Sequence, residues 1–396
     1  MWRSDVRVII KPIINKVLIE VGPMVDQNKS GVGHYVESLV YSLADNNTGY
    51  LMVGYYFNFW KLNKVNLPNI KNLHLHQIWL IPGKILSICR RFGFQPFLEI
   101  FLRPRADFII FTNYVSLPLI SNRRKQALVV YDLCFLDYPD FIQNVNLTYL
   151  SRFCPPSIKR ADLIITISEF TKSRIQHFFP DIKAPIIITP IPPQKTINQI
   201  TKENDRLKGL GIISKRYILF IGTLEPRKNI QNLMRAYINI GKDLCDTYSL
   251  VLAGGRGWKD EQIIQDIETH RDSGFNIITP GYITDDEKAY LYKNAACFVL
   301  PSHYEGFGMP ILEAMQYNTP VAISDIDVFR EVAGDAALYF DKDSPEDITR
   351  KICSLLTNAK IVNKLTNKGK ERLKQFSWQD NARKIIGAIE EIESKD

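Results

Sequence analysis

Short, uninterrupted apolar runs alternate with helix-periodic stretches along this chain, and the series occurs twice, on either side of a proline-rich, charged break. A strand with one solvated face alternates apolar and polar residues. An all-apolar run of four or five is instead buried on both faces, as in a parallel sheet covered by helices. In the first half such runs are Val17-Leu-Ile, Leu51-Met-Val, Phe108-Ile-Ile-Phe, Ala127-Leu-Val-Val and Leu163-Ile-Ile-Thr-Ile, with a helical pattern over residues 32–43. The second series comprises Tyr217-Ile-Leu-Phe-Ile, Ser249-Leu-Val-Leu-Ala, Asn276-Ile-Ile, Cys297-Phe-Val-Leu, Val321-Ala-Ile and Ala337-Leu-Tyr-Phe. Between residues 185 and 215 the chain passes through Pro190-Ile-Pro-Pro-Gln and a charged stretch, which reads as the linker. At 396 residues the chain exceeds one ordinary core. The expected class is therefore α/β, with two doubly wound Rossmann-like domains, 1–195 and 196–377, facing across a cleft.

With 45% hydrophobic and 23% charged residues, disordered and fibrous classes are set aside. The six cysteines form neither a CxxC nor a zinc spacing, so reduced thiols and a reducing, cytoplasmic setting are expected. No apolar leader or spanning run is legible, so the expectation is a chain neither secreted nor membrane-spanning. Charge is uneven: residues 1–195 hold 23 Lys+Arg against 13 Asp+Glu, and the remainder hold 27 against 29. Residues 51–105 carry eight cations against Glu99 alone, which calls for an anionic partner. Within them, residues 79–97 mix aromatics with cations. That pattern suits peripheral attachment to an anionic membrane surface, though core aromatics beneath a solvated basic face would read the same way. No nucleic-acid partner is expected.

Three segments carry candidate chemistry. The strand at 217–222 runs into Gly222-Thr-Leu-Glu-Pro-Arg-Lys-Asn-Ile, placing Arg227 and Lys228 on a strand-to-helix turn at the carboxyl edge of a sheet, where α/β folds bind ligands. A solvated turn is the plainer reading of the same cations. The strand at 297–300 runs into Pro301-Ser-His-Tyr-Glu-Gly-Phe-Gly-Met and a helix expected to begin at Pro310. Gly306 and Gly308 allow close backbone approach, and the helix N-terminus offers free N–H donors to an anion; a tight turn is the alternative. In the first half, Lys29-Ser-Gly-Val-Gly-His-Tyr-Val opens a helix with Gly31 and Gly33. It lacks the full Gly-x-Gly-x-x-Gly pattern, which argues against NAD.

Glu305-Gly-Phe-Gly-Met-Pro-Ile-Leu-Glu313 resembles the Glu-x7-Glu motif of retaining GT-B glycosyltransferases of family four. The segment at Gly222 is similar to that family's diphosphate-binding segment, and Ala161-Asp-Leu-Ile-Ile-Thr-Ile-Ser-Glu-Phe-Thr-Lys extends the likeness. The resemblance implies a GT-B enzyme with an acceptor-binding N-terminal domain and a donor-binding C-terminal domain. It further implies that a C-terminal helix, 378–396, with Ala382, Ile385, Ile386 and Ile389 at helical spacing, packs back on the N-terminal domain. The reaction implied is retaining hexosyl transfer, leaning to mannose and GDP-mannose, from a nucleoside-diphosphate sugar to a glycan or lipid-linked acceptor in polysaccharide biosynthesis. Arg227 and Lys228 would hold the diphosphate, and Glu305 the donor-sugar hydroxyls; these three are the catalytic candidates. Glu313 would take the ribose hydroxyls, with Gly31, Gly33, Gly222, Gly306, Phe307, Gly308 and Met309 also facing the donor. No cofactor or metal is expected, because the two cations supply the counter-charge and no Asp-x-Asp lies in a suitable loop. Val130-Tyr-Asp departs from the family's frequent His-Asp: Tyr131 is a poor base near neutral pH and is expected to orient a donor hydroxyl instead. That departure leaves a rival class open, a non-catalytic sugar-nucleotide-binding regulatory protein on the same fold.

Overall fold

The structure is a computed structural model that describes residues 16–25, 31–46, 49–58, 70–78, 95, 97–98, 106–120, 124–194 and 204–395. Lys29, most of the basic stretch at 59–105 and the junction at 195–203 lie outside the described residues.

The first sheet is wholly parallel and has seven strands in the order β3-β2-β1-β4-β5-β6-β7. These are β1 (Lys16–Glu20), β2 (Leu51–Phe57), β3 (Leu73–Ile78), β4 (Phe108–Phe111), β5 (Lys125–Val130), β6 (Leu163–Thr166) and β7 (Ile186–Ile188). The second has six strands, again all parallel, in the order β10-β9-β8-β11-β12-β13. They are β8 (Tyr217–Ile221), β9 (Ser249–Ala253), β10 (Ile277–Gly281), β11 (Cys297–Leu300), β12 (Val321–Ser324) and β13 (Leu338–Phe340). The central all-apolar runs are buried at every position, as their patterning requires: β4, β8, β9, β11 and β12 have no exposed residue. Strand β3 escaped the sequence reading because Leu73-His-Leu-His-Gln-Ile lies at the edge and alternates, with both histidines exposed. Strand β7 falls where composition placed the start of the linker, so the first sheet continues to Ile188 before the proline run.

In each sheet the strand order reverses beside the first strand, between β1 and β4 and between β8 and β11. At such a switch point the flanking loops diverge to opposite faces and leave a crevice at the carboxyl ends. The motif at Gly222 follows β8 and the motif at Glu305 follows β11, so both flank the crevice of the second sheet, while Gly31 and Gly33 follow β1 in the first.

The helix Trp378–Glu393 crosses back to the first sheet's domain and lies against the helix Gly31–Asp45 and strands β6 and β7. Ala382, Ile385, Ile386 and Ile389 are buried. Asn381 Nδ2 donates to Pro190 O at 2.7 Å, and Ser42 Oγ to the Trp378 carbonyl at 2.6 Å. Burying each of the three isoleucine side chains stabilises by roughly 1.5–3 kcal/mol. Truncation after residue 375 should therefore lower the melting temperature of the whole chain and expose Tyr35 of the N-terminal domain, whose ring packs against Trp378 at 5.5 Å. Unchanged near-UV dichroism and melting would contradict this packing.

Among the described residues no helix is long and apolar enough to cross a membrane. The described cysteines, Cys134, Cys154, Cys245, Cys297 and Cys353, are all unpaired.

Candidate active site

Strand β8 ends in a 3-10 turn, Pro226–Lys228, that Asn229 closes in the left-handed conformation at φ 55°. Asparagine is enriched in that region, and here its side chain bonds distant parts of the chain: Asn229 Nδ2 donates to Pro301 O at 3.1 Å and Lys342 O at 2.8 Å. The turn after β8 is thus tied to the end of β11, which brings Arg227 and Lys228 onto Glu305. Arg227 Nη1 donates to Glu305 Oε2 at 2.7 Å and to the Tyr304 carbonyl at 2.8 Å, while Nε and Nη2 hold Glu225 Oε1 at 3.0 and 2.6 Å. Lys228 Nζ and Ser302 Oγ both donate to Glu305 Oε1, at 2.5 and 2.8 Å.

Two cations therefore face two carboxylates in a largely buried cluster. Burial alone would raise the Glu305 carboxyl, but the Arg227 and Lys228 charges and hydrogen bonds outweigh it and hold it down at about 2. Burial would likewise lower Arg227, yet Glu305 and Glu225 raise it. For Lys228 burial prevails over Glu305, and its ammonium lies below the usual range. Four of the five guanidinium N–H groups of Arg227 and one of the three N–H groups of Lys228 are used in these bonds. The remaining donors can meet an anion.

Gly308, at φ 98°, is the N-cap of the helix Met309–Gln316, so the helix starts one residue before Pro310. A Cβ on Gly308 would lie 2.8 Å from Phe329. Gly306 is held across the domain boundary: its carbonyl accepts from Ser168 Oγ at 2.9 Å, and a Cβ there would stand 2.4 Å from the Tyr131 carbonyl. Phe307 is buried with its ring against Phe376. Gly31 approaches Met309 so closely that a Cβ would lie 3.0 Å from its terminal methyl. Gly33 is buried two residues further along, in the first turn of the helix Gly31–Asp45.

One turn into the Met309 helix, Glu313 accepts from Lys288 Nζ and Tyr292 OH, both at 2.9 Å. With Lys288, Gly31, Gly222 and Met309 it lines an interdomain cavity of about 200 Å3. Arg227 and Glu225 line a separate cavity of about 560 Å3 together with Asp132 and Tyr114. Arg227 of the cation cluster lines the second cavity, and Gly222, beside Lys228, lines the first, so the cluster stands between the two.

Tyr131 enters differently from its sequence expectation. It is buried, its hydroxyl donates to the Thr112 carbonyl at 2.6 Å, and burial, then Tyr35 and Glu20, push the phenol well above its usual range. Any bond from its side chain to a donor hydroxyl is therefore one the phenolic oxygen accepts. The contact it makes with the loop after β11 runs through its backbone carbonyl, against Gly306.

Sequence reasoning passed over several polar partners. Glu225 lay within the quoted motif but was given no role. Lys288 had no signal beyond its place on an acidic helix, and Ser302 none. Ser168 and Thr171 were quoted only as part of the resemblance; Ser168 caps the helix Glu169–Phe178 and contacts Gly306. Glu331 completes the same junction, accepting the N–H groups of Glu169 at 2.7 Å and Phe170 at 3.0 Å from the other domain.

Two doubly wound domains whose crevices meet over a buried cation–carboxylate cluster define a GT-B glycosyltransferase. Residues 202–372 match the family model described as glycosyl transferases group 1. O-antigen chain mannosyltransferase B of Escherichia coli is 33% identical over 297 residues, which is 72% of this chain and 75% of the relative. The O-antigen chain mannosyltransferase RfbU of Salmonella typhimurium is 32% identical over 241 residues, 59% of this chain and 61% of that protein. Among solved structures, WaaG, a glycosyltransferase involved in lipopolysaccharide biosynthesis, superposes with a TM-score of 0.66 at 12% identity, covering 93% of this chain and 98% of WaaG. Sucrose-phosphate synthase from Thermosynechococcus elongatus gives 0.69 at 15% identity, covering 96% and 100%. The chain belongs to the glycosyl transferases group 1 family, and it is an enzyme rather than the non-catalytic regulator that the Tyr131 departure left open.

Proposed function

We propose that the chain transfers mannose, with retention at the anomeric carbon, from GDP-mannose to the growing glycan of an O-antigen-type polysaccharide. The carrying observation is the buried pairing of Arg227 and Lys228 with Glu305 at the sheet's switch point. Identity to two O-antigen mannosyltransferases supports the choice of sugar and acceptor class. The donor's diphosphate takes the spare N–H groups of Arg227 and Lys228, the ribose hydroxyls meet Glu313, and Glu305 accepts from the hydroxyls of the sugar. As the C1–O bond lengthens, negative charge grows on the departing phosphate oxygen beside two fixed cations, and that preorganised field lowers the barrier. The acceptor hydroxyl attacks from the same face and gives its proton to a leaving phosphate oxygen. The chain need supply neither a nucleophile nor a metal ion. The basic stretch at 51–105 suits a lipid-linked, anionic acceptor presented at a membrane face.

The test is transfer from GDP-mannose in the presence of EDTA, with the product's anomeric configuration read by NMR. Turnover unchanged by EDTA and an α-linked product are expected. A β-linked product would overturn retention, and loss of activity restored by magnesium would overturn metal independence.

A further inference from the structure

The larger cavity, about 560 Å3, lies within the size range of small-molecule sites and has no assigned occupant. One end carries Arg227 and Glu225, so it opens onto the cation cluster where the donor's anomeric carbon must sit. Its walls come from both domains. The first contributes Asp132 and Asn146; the second contributes Arg256 and Trp258 from the loop after β9. Trp258 is held in place across the boundary, since its indole Nε1 donates to the Phe141 carbonyl at 3.0 Å. Phe141 is in turn stacked on His303 of the second domain, ring centres 5.6 Å apart and planes 18° from parallel. Asp132 accepts from Cys134 N at 2.9 Å and from Tyr114 OH at 3.0 Å, one donor on each oxygen. A carboxylate can accept about four hydrogen bonds, so each oxygen retains capacity towards the cavity.

We infer that this cavity is the acceptor site, that it takes a pyranose ring at the growing end of a glycan, and that Trp258 grips that ring while Asp132 orients its attacking hydroxyl. The inference rests on the glycosyl-transfer reading above and places an acceptor residue on the donor-side domain. The chemistry fits a sugar: one edge of a pyranose presents C–H groups to an indole, and its hydroxyls meet the Asn146 amide, the Arg256 guanidinium and the Asp132 carboxylate. Arg256 is fixed for this by Asp260, which accepts from its Nε at 2.8 Å and its Nη2 at 2.9 Å. Because Trp258 and Asp132 belong to different domains, both reach the ring only when the domains are as close as they are here. Asp132 acts by positioning the hydroxyl, whose proton leaves with the phosphate.

Saturation-transfer NMR with octyl α-D-mannopyranoside and octyl N-acetyl-β-D-glucosaminide as probes tests the assignment, in parallel with GDP binding by calorimetry. Wild-type protein should saturate the ring protons of at least one probe, Trp258→Ala should cut that signal at least five-fold, and Trp258→Phe should retain most of it, all three binding GDP equally. In transfer assays Asp132→Asn should lower kcat at least ten-fold while the acceptor KM changes by less than three-fold. Glycoside binding by Trp258→Ala equal to wild type, or no saturation of either probe by wild-type protein, would overturn the assignment. Failure of the donor reading shows separately, as absent GDP binding with the glycoside signals intact.

Discussion

Replacing Arg227 or Lys228 by alanine is expected to slow transfer by about 100-fold or more, the usual cost of removing one preorganised charge from a developing anion. Both side chains are also half of a buried ion-pair cluster, so a loss of activity alone would not separate chemistry from folding. Truncating one partner of a buried pair leaves the other uncompensated, typically at about 3–5 kcal/mol. The pair Lys228→Met with Glu305→Gln resolves this. Removing both charges together should restore much of the stability that Lys228→Met alone loses, because Glu305 no longer needs a counter-ion. Activity should stay at or below one hundredth of wild type. Near-normal turnover in either alanine variant, or recovery of activity along with stability in the double variant, would take the cations out of the reaction.

The same cluster sets an acid limit on the fold. The Glu305 carboxyl sits at about 2 when folded, against an ordinary 4.5. A depressed carboxyl contributes stability that is complete above its unfolded pKa and is lost as pH falls through the folded one. The Glu305 contribution is therefore full above about pH 4.5 and declines towards pH 2. This sensitivity is separate from catalysis near neutral pH, where the carboxylate stays ionised.

What could be read from sequence follows from where each signal lies. The central strands were legible because burial on both faces forces runs such as Phe108-Ile-Ile-Phe and Cys297-Phe-Val-Leu. Edge strand β3 was not, because an exposed face lets His74 and His76 interrupt the run. The segments at Gly222 and Glu305 could be found because each is one contiguous run on a single loop at the end of a buried strand. Contacts made across the domain boundary left no local trace. Ser168, Glu331 and Trp258 are ordinary residues of a cap, a helix and a loop in sequence. They become significant only once folding sets them beside Gly306, the helix Glu169–Phe178 and Phe141. Tyr131 could be placed by alignment to the motif, but the direction of its hydroxyl could not, since that depends on the Thr112 carbonyl at the end of the neighbouring strand.

Gly306→Ala should be as damaging to activity as loss of a cation, and by a different route. The added methyl would stand 2.4 Å from the Tyr131 carbonyl and 3.0 Å from Asp132 Cβ, and backbone cannot yield as a flexible side chain can. Either the loop carrying Glu305 shifts within its own domain or the two domains part. Shifting the loop strains the bonds from Arg227 and Lys228. Parting the domains breaks the Ser168 bond to the Gly306 carbonyl and the Glu331 cap on the helix Glu169–Phe178. A misplacement of about 1 Å at a reacting centre costs on the order of 100-fold, and that is the expected fall in kcat/KM. Some loss of thermal stability should accompany it, because Tyr131 and Phe307 on either side of the clash belong to the hydrophobic core, so activity is read well below the melting transition. X-ray scattering separates the two routes: a larger radius of gyration means the domains have parted, and an unchanged one locates the shift in the loop. Wild-type turnover by Gly306→Ala would mean that the close approach of the Gly306 loop to Tyr131 has no part in catalysis.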